Sequence, residues 1–302
     1  MAAGRGRRLI GAIEGGGTKF VCAVADSPTS LIERMVIPTR DPKGTLDDCV
    51  EFFHAAQERH GKILALGMAC FGPLQLRSTA PGHGCLLGTP KPGWSGVNVL
   101  APFCEAFAVP IELDVDVGAA ARGELEFGAG RGLGSLAYVT VGTGIGGAVA
   151  PPAREVGPMH AEMGHLRVRR DPRDLHFAGI CPFHGDCVEG LASGPAIQAR
   201  WDCDLSSLPA DHAAHAIIAG YIAQLAATIV LLHAPGMLVI GGGVLGASGA
   251  LSRIRSQTLA LLGGYLPHLC DMQRIEQFIS APALGADSAI VGALQAAIDA
   301  VD

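Results

Sequence analysis

Four side chains able to bind a soft metal ion fall close together: His165, Cys181, His184 and Cys187. The last three stand three residues apart and His165 lies sixteen earlier, which supplies the four soft or borderline donors that tetrahedral zinc takes. Pro182 and Gly185 give the tight turns that chelation needs. A closed set of this kind holds structure; the alternative is a reduced thiol pair with incidental histidines. Glu162 and Glu189 flank the cluster and are suited to accept hydrogen bonds from the hydroxyls of a polar substrate, although surface acids have the same composition.

A second pair of acids, Asp114 and Asp116, closes the apolar stretch Ile111 to Val115. Strand alternation places both carboxylates on one face, and Asp116 stands nearest the carboxyl end, where α/β proteins bind ligands. It is the candidate to accept a substrate proton. The competing role for Asp116 is a helix cap, because a helical pattern follows from Gly118.

Glycine-rich turns supply the third chemistry. Gly15-Gly16-Gly17-Thr18-Lys19 bares backbone N–H groups in a concavity suited to phosphate oxygens, and Gly142-Thr143-Gly144 offers the same again. One such turn alone is equally an ordinary tight hairpin; two matched turns argue for a ligand. Gly142, Gly144 and Gly147 satisfy G-x-G-x-x-G, but Ala148 to Pro152 is strand and loop where a dinucleotide fold requires a helix. Gly241-Gly242-Gly243 lies between a strand and a helix, where a nucleoside could approach the backbone, or where strand and helix merely pack. No G-x-x-x-x-G-K-[ST] is present, so nucleotide binding would not use a P-loop.

The elements that must carry these residues alternate. Strands are expected at Leu9–Ile13, Phe20–Ala25, Leu31–Ile37, Ile63–Phe71 and Ile111–Val115, with helices at Thr45–His60, Val97–Phe107 and Gly118–Phe127. The pattern then restarts with strands Leu136–Val141 and Ile145–Ala150, whose turn lies 127 residues after the first, so one α/β unit is duplicated. Pro151 to Cys203 reads as a loop-rich insertion with few core positions. A helix Ala213–His233, strand Met237–Ile240, helix Ala250–Leu262, strand Ile275–Ile279 and helix Asp287–Ala300 complete the chain.

Composition narrows the function. With 302 residues, two domains are expected. A hydrophobic share of 49% against 17% charged excludes a disordered chain. Formal charge is −6, and the only dense basic stretch is Arg5 to Arg8, so no nucleic acid partner is expected. Nine scattered cysteines, an odd number, fit a reducing compartment. Neither a signal peptide nor a run of about 20 apolar residues free of turn signals is read, so a cytoplasmic protein without a membrane partner is expected.

Ile13-Glu14-Gly15-Gly16-Gly17-Thr18-Lys19-Phe20, Gly88-Thr89-Pro90-Lys91-Pro92-Gly93-Trp94 and the Cys-Pro-Phe-His sequence at Cys181 resemble the ROK family of sugar kinases and repressors, in its bacterial fructokinase branch. The resemblance covers essentially the whole chain. It implies the actin-like, hexokinase-like duplicated fold of ribonuclease-H-like α/β units: a small lobe, 1–117, with helix 288–302 packed back on it, and a large lobe, 118–287, carrying the zinc-binding insertion 151–203, with a cleft between them. It further implies Asp116 as catalytic base, Glu162, His165 and Glu189 as sugar contacts, and His165, Cys181, His184 and Cys187 as the zinc site. Gly16, Gly17, Thr18, Lys19, Thr143 and Gly144 would meet the phosphates of ATP, and Gly241, Gly242 and Gly243 the adenosine. The implied activity is ATP- and Mg²⁺-dependent phosphorylation of a hexose at its 6-hydroxyl, fructose foremost, by a homodimer. Glu14 stands where most relatives have Asp, and Val115-Asp116-Val117-Gly118 lacks the Asn residues that often flank the base. A repressor would need a DNA-reading domain, for which the eight residues before Leu9 are too few. A zinc-stabilised sugar binder without catalysis would need neither Asp116 nor paired phosphate turns.

Overall fold

The computed structural model describes residues 8–151 and 160–302. Arg5 and Arg7 of the basic start, Pro152, and residues 152–159 of the expected insertion lie outside the described residues. The chain divides into two compact units: the first holds the described residues up to Gly123, His160 and Ala286–Asp302, and the second those from Glu124 to Pro151 together with Ala161–Gly285.

The first unit is built on β1 (Leu9–Gly15), β2 (Lys19–Ser27), β3 (Ser30–Pro38), β4 (Ile63–Cys70) and β5 (Ile111–Val115), in the sheet order β3-β2-β1-β4-β5. β1 to β3 form an antiparallel meander, whereas β4 and β5 run parallel to β1. Helix α1 (Pro42–His60) begins at Asp41, whose carboxylate accepts the Gly44 N–H at 2.9 Å. It buries Leu46, Cys49, Phe52, Phe53 and Ala56 at helical spacing, and Phe53 meets Phe103 and Phe107 edge-on. The helix expected over Val97–Phe107 is shorter, α2 (Ala101–Ala106), because Asn98 Oδ1 accepts the N–H groups of Leu100 and Ala101 and holds the preceding residues as a loop.

The second unit repeats the scheme with β6 (Leu136–Val141), β7 (Ile145–Ala150), β8 (Leu238–Gly241) and β9 (Ile279–Ser280), in the order β7-β6-β8-β9. β6 and β7 form the antiparallel hairpin, and β8 and β9 are parallel to β6. The counterparts of β1, β2, β4 and β5 are therefore β6, β7, β8 and β9. Helix α3 (Asp116–Phe127) follows β5, and α9 (Ser288–Asp299) returns to the first unit, where it lies against β1 and β4. That contact is close: a Cβ at Gly67 would overlap the Ala293 carbonyl oxygen.

Three expectations are corrected. Ile275–Ile279 is not a strand; α8 (Met272–Phe278), capped by Asp271 through the Arg274 N–H at 2.9 Å, buries Ile275 and Phe278 three apart, and only Ile279–Ser280 pairs as β9. The segment up to Cys203 is not poor in core: α4 (Val188–Ala192) and α5 (Gly194–Trp201) bury Val188, Leu191, Ala192 and Ile197 in the second unit's hydrophobic core. Among the described residues one helix is also long and apolar enough to cross a membrane, α6 (Ala213–His233). Its buried face, including Ile218, Ile222, Leu225 and Ile229, belongs to that same core, and it packs against α4 and α7 (Ala250–Leu262), which makes it a core helix.

Gly67→Ala should lower unfolding free energy by roughly 1–3 kcal/mol, the usual cost of overpacking, because the Ala293 carbonyl belongs to a helix backbone and cannot rotate away. Urea denaturation reads this directly, and an unchanged midpoint would show that α9 is free to shift.

Candidate active site and metal centre

In the first unit, strand register sets the site. Gly15 pairs with Cys70 and Cys70 with Val115, across parallel strands. The glycine turn after β1 and the residue after β5 therefore leave the sheet at the same edge, two strand spacings or roughly 10 Å apart. Asp116 is that residue. It is the first residue of α3 and half-buried, and its Oδ1 accepts the Val117 N–H at 2.8 Å. Its charge adds to burial in pushing the Cys70 thiol up.

Asp114 and Asp116 do not share a strand face as alternation suggested, because β5 ends at Val115 and the helical turn begins at Asp116. Asp114 instead folds over the first turn of α3. It accepts the Val115 N–H at 2.7 Å and lies 2.6 Å from where a Cβ on Gly118 would be, while burial raises its carboxyl above the usual range.

The Gly16–Thr18 turn is held by its carbonyls. Thr39 donates its hydroxyl to Gly16 O at 2.8 Å and its N–H to Thr18 O at 2.9 Å, and Lys91 Nζ donates to Gly17 O at 2.5 Å. In a trans peptide the N–H points opposite to the carbonyl, so the N–H groups of Gly17 and Thr18 face away from these partners. Lys19 is exposed at the start of β2, and its charge works against the burial that raises Glu14.

In the second unit, Val141 pairs with Ile145 around the Gly142–Gly144 turn, and Thr140 pairs with Gly241, so the Gly241–Gly243 turn leaves the sheet beside it, roughly 5 Å along. Gly242 has φ +98°, and a Cβ there would overlap the Val141 backbone, so only glycine fits. Glu189 Oε2 accepts the Ile145 N–H at 2.9 Å, and Gly194 N–H donates to Gly142 O at 2.8 Å. The second turn is thus fastened to α4 and α5.

His165 closes the 3₁₀ turn Met163–His165, and Cys181 and Gly185 exchange backbone hydrogen bonds of 3.2 and 2.8 Å around a knuckle that needs Gly185 at φ +65°. Cys187 is the N-cap of α4 and pairs with Arg167 as an isolated bridge. Arg167 and Arg170 both engage Asp186. The four donors converge within 4.8 Å of one another. His165 Nδ1 is 3.7 Å from Cys181 Sγ and 3.5 Å from Cys187 Sγ, and His184 Nδ1 is 3.6 Å from Cys181 Sγ. Zinc bonds of about 2.0–2.1 Å to nitrogen and about 2.3 Å to sulfur place tetrahedral donors roughly 3.4–3.8 Å apart, so the residues fit the ion. Without a metal, burial pushes the Cys187 thiol up to about 11; a bound cation would act in the opposite direction, by favouring the thiolate. With Nδ1 turned to the cluster, His165 presents Nε2 to Glu189 Oε1 at 3.9 Å. Burial, with the Glu189 charge, raises the Glu162 carboxyl, and His165 opposes this.

A hairpin with an open glycine turn at the head of each of two repeated sheets, with a Cys/His knuckle in the second, is a specific combination. The ROK family model matches residues 10–300. The chain belongs to the ROK family.

Among curated ROK relatives, the fructokinase of Zymomonas mobilis is 41% identical over 298 residues, covering 97% of this chain and 98% of that protein. The fructokinase of Lactococcus lactis subsp. cremoris is 36% identical over 273 residues, 90% of each. Among solved structures, the ROK hexokinase of Thermus thermophilus superposes with a TM-score of 0.76 at 26% identity, covering 97% of this chain and 99% of that one. The two-sheet α/β architecture is the actin-like fold these ROK proteins share.

Within this ROK chain the structure brings together Gly16, Gly17 and Thr18 with Asp116 at one sheet edge, Thr143 and Gly144 with Gly241 to Gly243 at the other, and Glu162, His165 and Glu189 beside the knuckle. Sequence reasoning missed Thr39, for which no local signal exists, and the placement of Lys91, whose position between two prolines was the available hint. Glu189→Ala should speed amide exchange at Ile145 roughly tenfold or more, because a charge-assisted hydrogen bond of about 1.5–3 kcal/mol is lost, while Glu189→Gln keeps an acceptor and most of the protection. Equal exchange in all three proteins would detach Glu189 from the turn.

Proposed function

We propose that this chain is an ATP-dependent kinase that phosphorylates the 6-hydroxyl of D-fructose. The observation that carries the reading is its similarity, over nearly the full length of both chains, to curated bacterial fructokinases. The geometry agrees with it. Phosphoryl transfer asks mainly for positioning and charge stabilisation, and turns with outward N–H groups are suited to phosphate oxygens.

Asp116 takes the role of base in this reading: it orients the sugar hydroxyl and accepts its proton as the oxygen attacks phosphorus. Gly16, Gly17, Thr18, Lys19, Thr143 and Gly144 hold the triphosphate, and Gly241, Gly242 and Gly243 leave room for the adenosine. Glu162, His165 and Glu189 bind sugar hydroxyls. Mg²⁺, when bound with the nucleotide, neutralises phosphate charge. Zinc, held by His165, Cys181, His184 and Cys187, supplies no reaction step and orders the loop from Cys181 to Glu189, so His165 joins loop order to sugar binding. The family likeness extends this reading to a cytoplasmic homodimer.

A coupled assay with ATP, Mg²⁺ and a panel of hexoses should give fructose the highest kcat/KM; no turnover with any hexose would refute the kinase reading. Asp116→Asn should cut kcat by about 10²- to 10⁴-fold and leave sugar binding largely intact, since the amide keeps the shape. An undiminished kcat would remove Asp116 from the chemistry. Elemental analysis should find zinc bound to the native chain, and chelation should raise the KM for sugar before kcat falls; protein without bound zinc would end that assignment.

A further inference from the structure

The segment Gly88–Trp94 carries part of the family likeness, yet no role above uses it. Its lysine is the group that reaches the first glycine turn. Lys91 Nζ lies 2.5 Å from Gly17 O, across 74 residues of sequence. The backbone that carries it is held in place. Pro90 and Pro92 restrict the backbone on both sides, Lys91 N–H donates to Thr89 Oγ1 at 3.3 Å, and Ser95 and Thr89 bond to each other at 3.1 and 3.2 Å. Trp94 anchors the end of the segment: it is fully buried, donates Nε1–H to Arg40 O at 3.1 Å, and stacks on Phe20 of β2 with ring centroids 5.5 Å apart.

An ammonium has three N–H groups, and the Gly17 carbonyl takes one. Among the described residues Lys91 forms no ion pair, whereas the Lys19 charge faces Glu14. A cation without a paired carboxylate therefore stands on the carbonyl side of the turn, while the Thr18 N–H of the same peptide points to the other side. The two suit successive phosphoryl groups of one extended polyphosphate rather than a single group, an inner one on the turn and the terminal one on the ammonium.

We infer that Lys91 is a catalytic residue that touches the terminal phosphoryl group of ATP. The inference rests on the kinase reading and deepens it. In the transfer, the sugar 6-oxygen forms a bond to the γ-phosphorus, the bond from that phosphorus to the β,γ-bridging oxygen breaks, and ADP departs with the electron pair. The hydroxyl proton passes to the Asp116 carboxylate. Lys91 keeps its proton throughout and donates a charge-assisted hydrogen bond to a γ-phosphoryl oxygen, offsetting the charge that the transition state spreads over those oxygens.

The test compares calorimetric affinities for AMPPNP and ADP, with Mg²⁺ and without sugar, in the wild type, Lys91→Met and Lys91→Arg. Lys91→Met should weaken AMPPNP about tenfold or more and leave ADP within about twofold, with kcat lowered about 10²- to 10³-fold, the usual effect of removing one transition-state donor. Lys91→Arg, which keeps the charge, should recover part of both losses. A mere staple on the Gly17 carbonyl would move both affinities together or neither, so an unchanged AMPPNP-to-ADP ratio in Lys91→Met overturns the inference. A rise confined to the sugar KM overturns it as well. If Lys91→Met lacks a cooperative unfolding transition, Lys91→Gln is judged by the same criteria. Wild-type protein that binds neither nucleotide would sink the kinase reading itself, an outcome distinct from the two above.

Discussion

Parallel pairing in register at Gly15, Cys70 and Val115 is the constraint on which the first unit's chemistry depends. It brings a phosphate-sized turn and a carboxylate out of one sheet edge at one level, about two strand spacings apart. A slip of one residue would carry Asp116 off that edge and reverse every side chain of β5. The buried faces of β1 and β4, with α9 pressed against Gly67, make such a slip costly. Packing remote from that edge thereby sets the separation of the glycine turn and the carboxylate.

The second unit solves a different problem with the same topology. Its turn is fastened through Glu189 to α4, which begins at the Cys/His knuckle, and through Gly194 to α5, which follows it. Cys187 belongs both to the donor set and to the cap of α4, and Glu189 stands two residues on, so ordering the knuckle orders the acid that holds the turn. A chain with only 17% charged residues places three of them, Arg167, Arg170 and Asp186, in brackets around this loop, which argues that its position matters more than its exposure would suggest.

Much of this was legible in the sequence where the determinants are local. β5, β6, β7, α6 and α7 have the bounds that apolar patterning gives, and the metal-ligand spacing identified the four residues that converge. The misreadings also have physical causes. Ile275 and Phe278 sit three apart in a short apolar stretch, where helix and strand periods are hard to separate and the Asp271 cap decides. The polar flavour of the residues before Cys187 masked the core helices after it. Asp116 lost its expected strand face because the helix starts at Asp116 itself, two residues before Gly118. Contacts such as Glu189 to Ile145, 44 residues apart, and Lys91 to Gly17 depend on how the sheets bring distant segments together, and no local pattern encodes them.

The central claim, that Asp116 is the base facing the reacting alcohol, is tested most directly by a crystal structure with fructose and AMPPNP bound together. The account predicts a carboxylate oxygen of Asp116 within about 2.6–3.2 Å of the sugar 6-oxygen, with that oxygen facing the γ-phosphorus. A 6-oxygen held by another residue, with Asp116 beyond reach of it, would contradict the account.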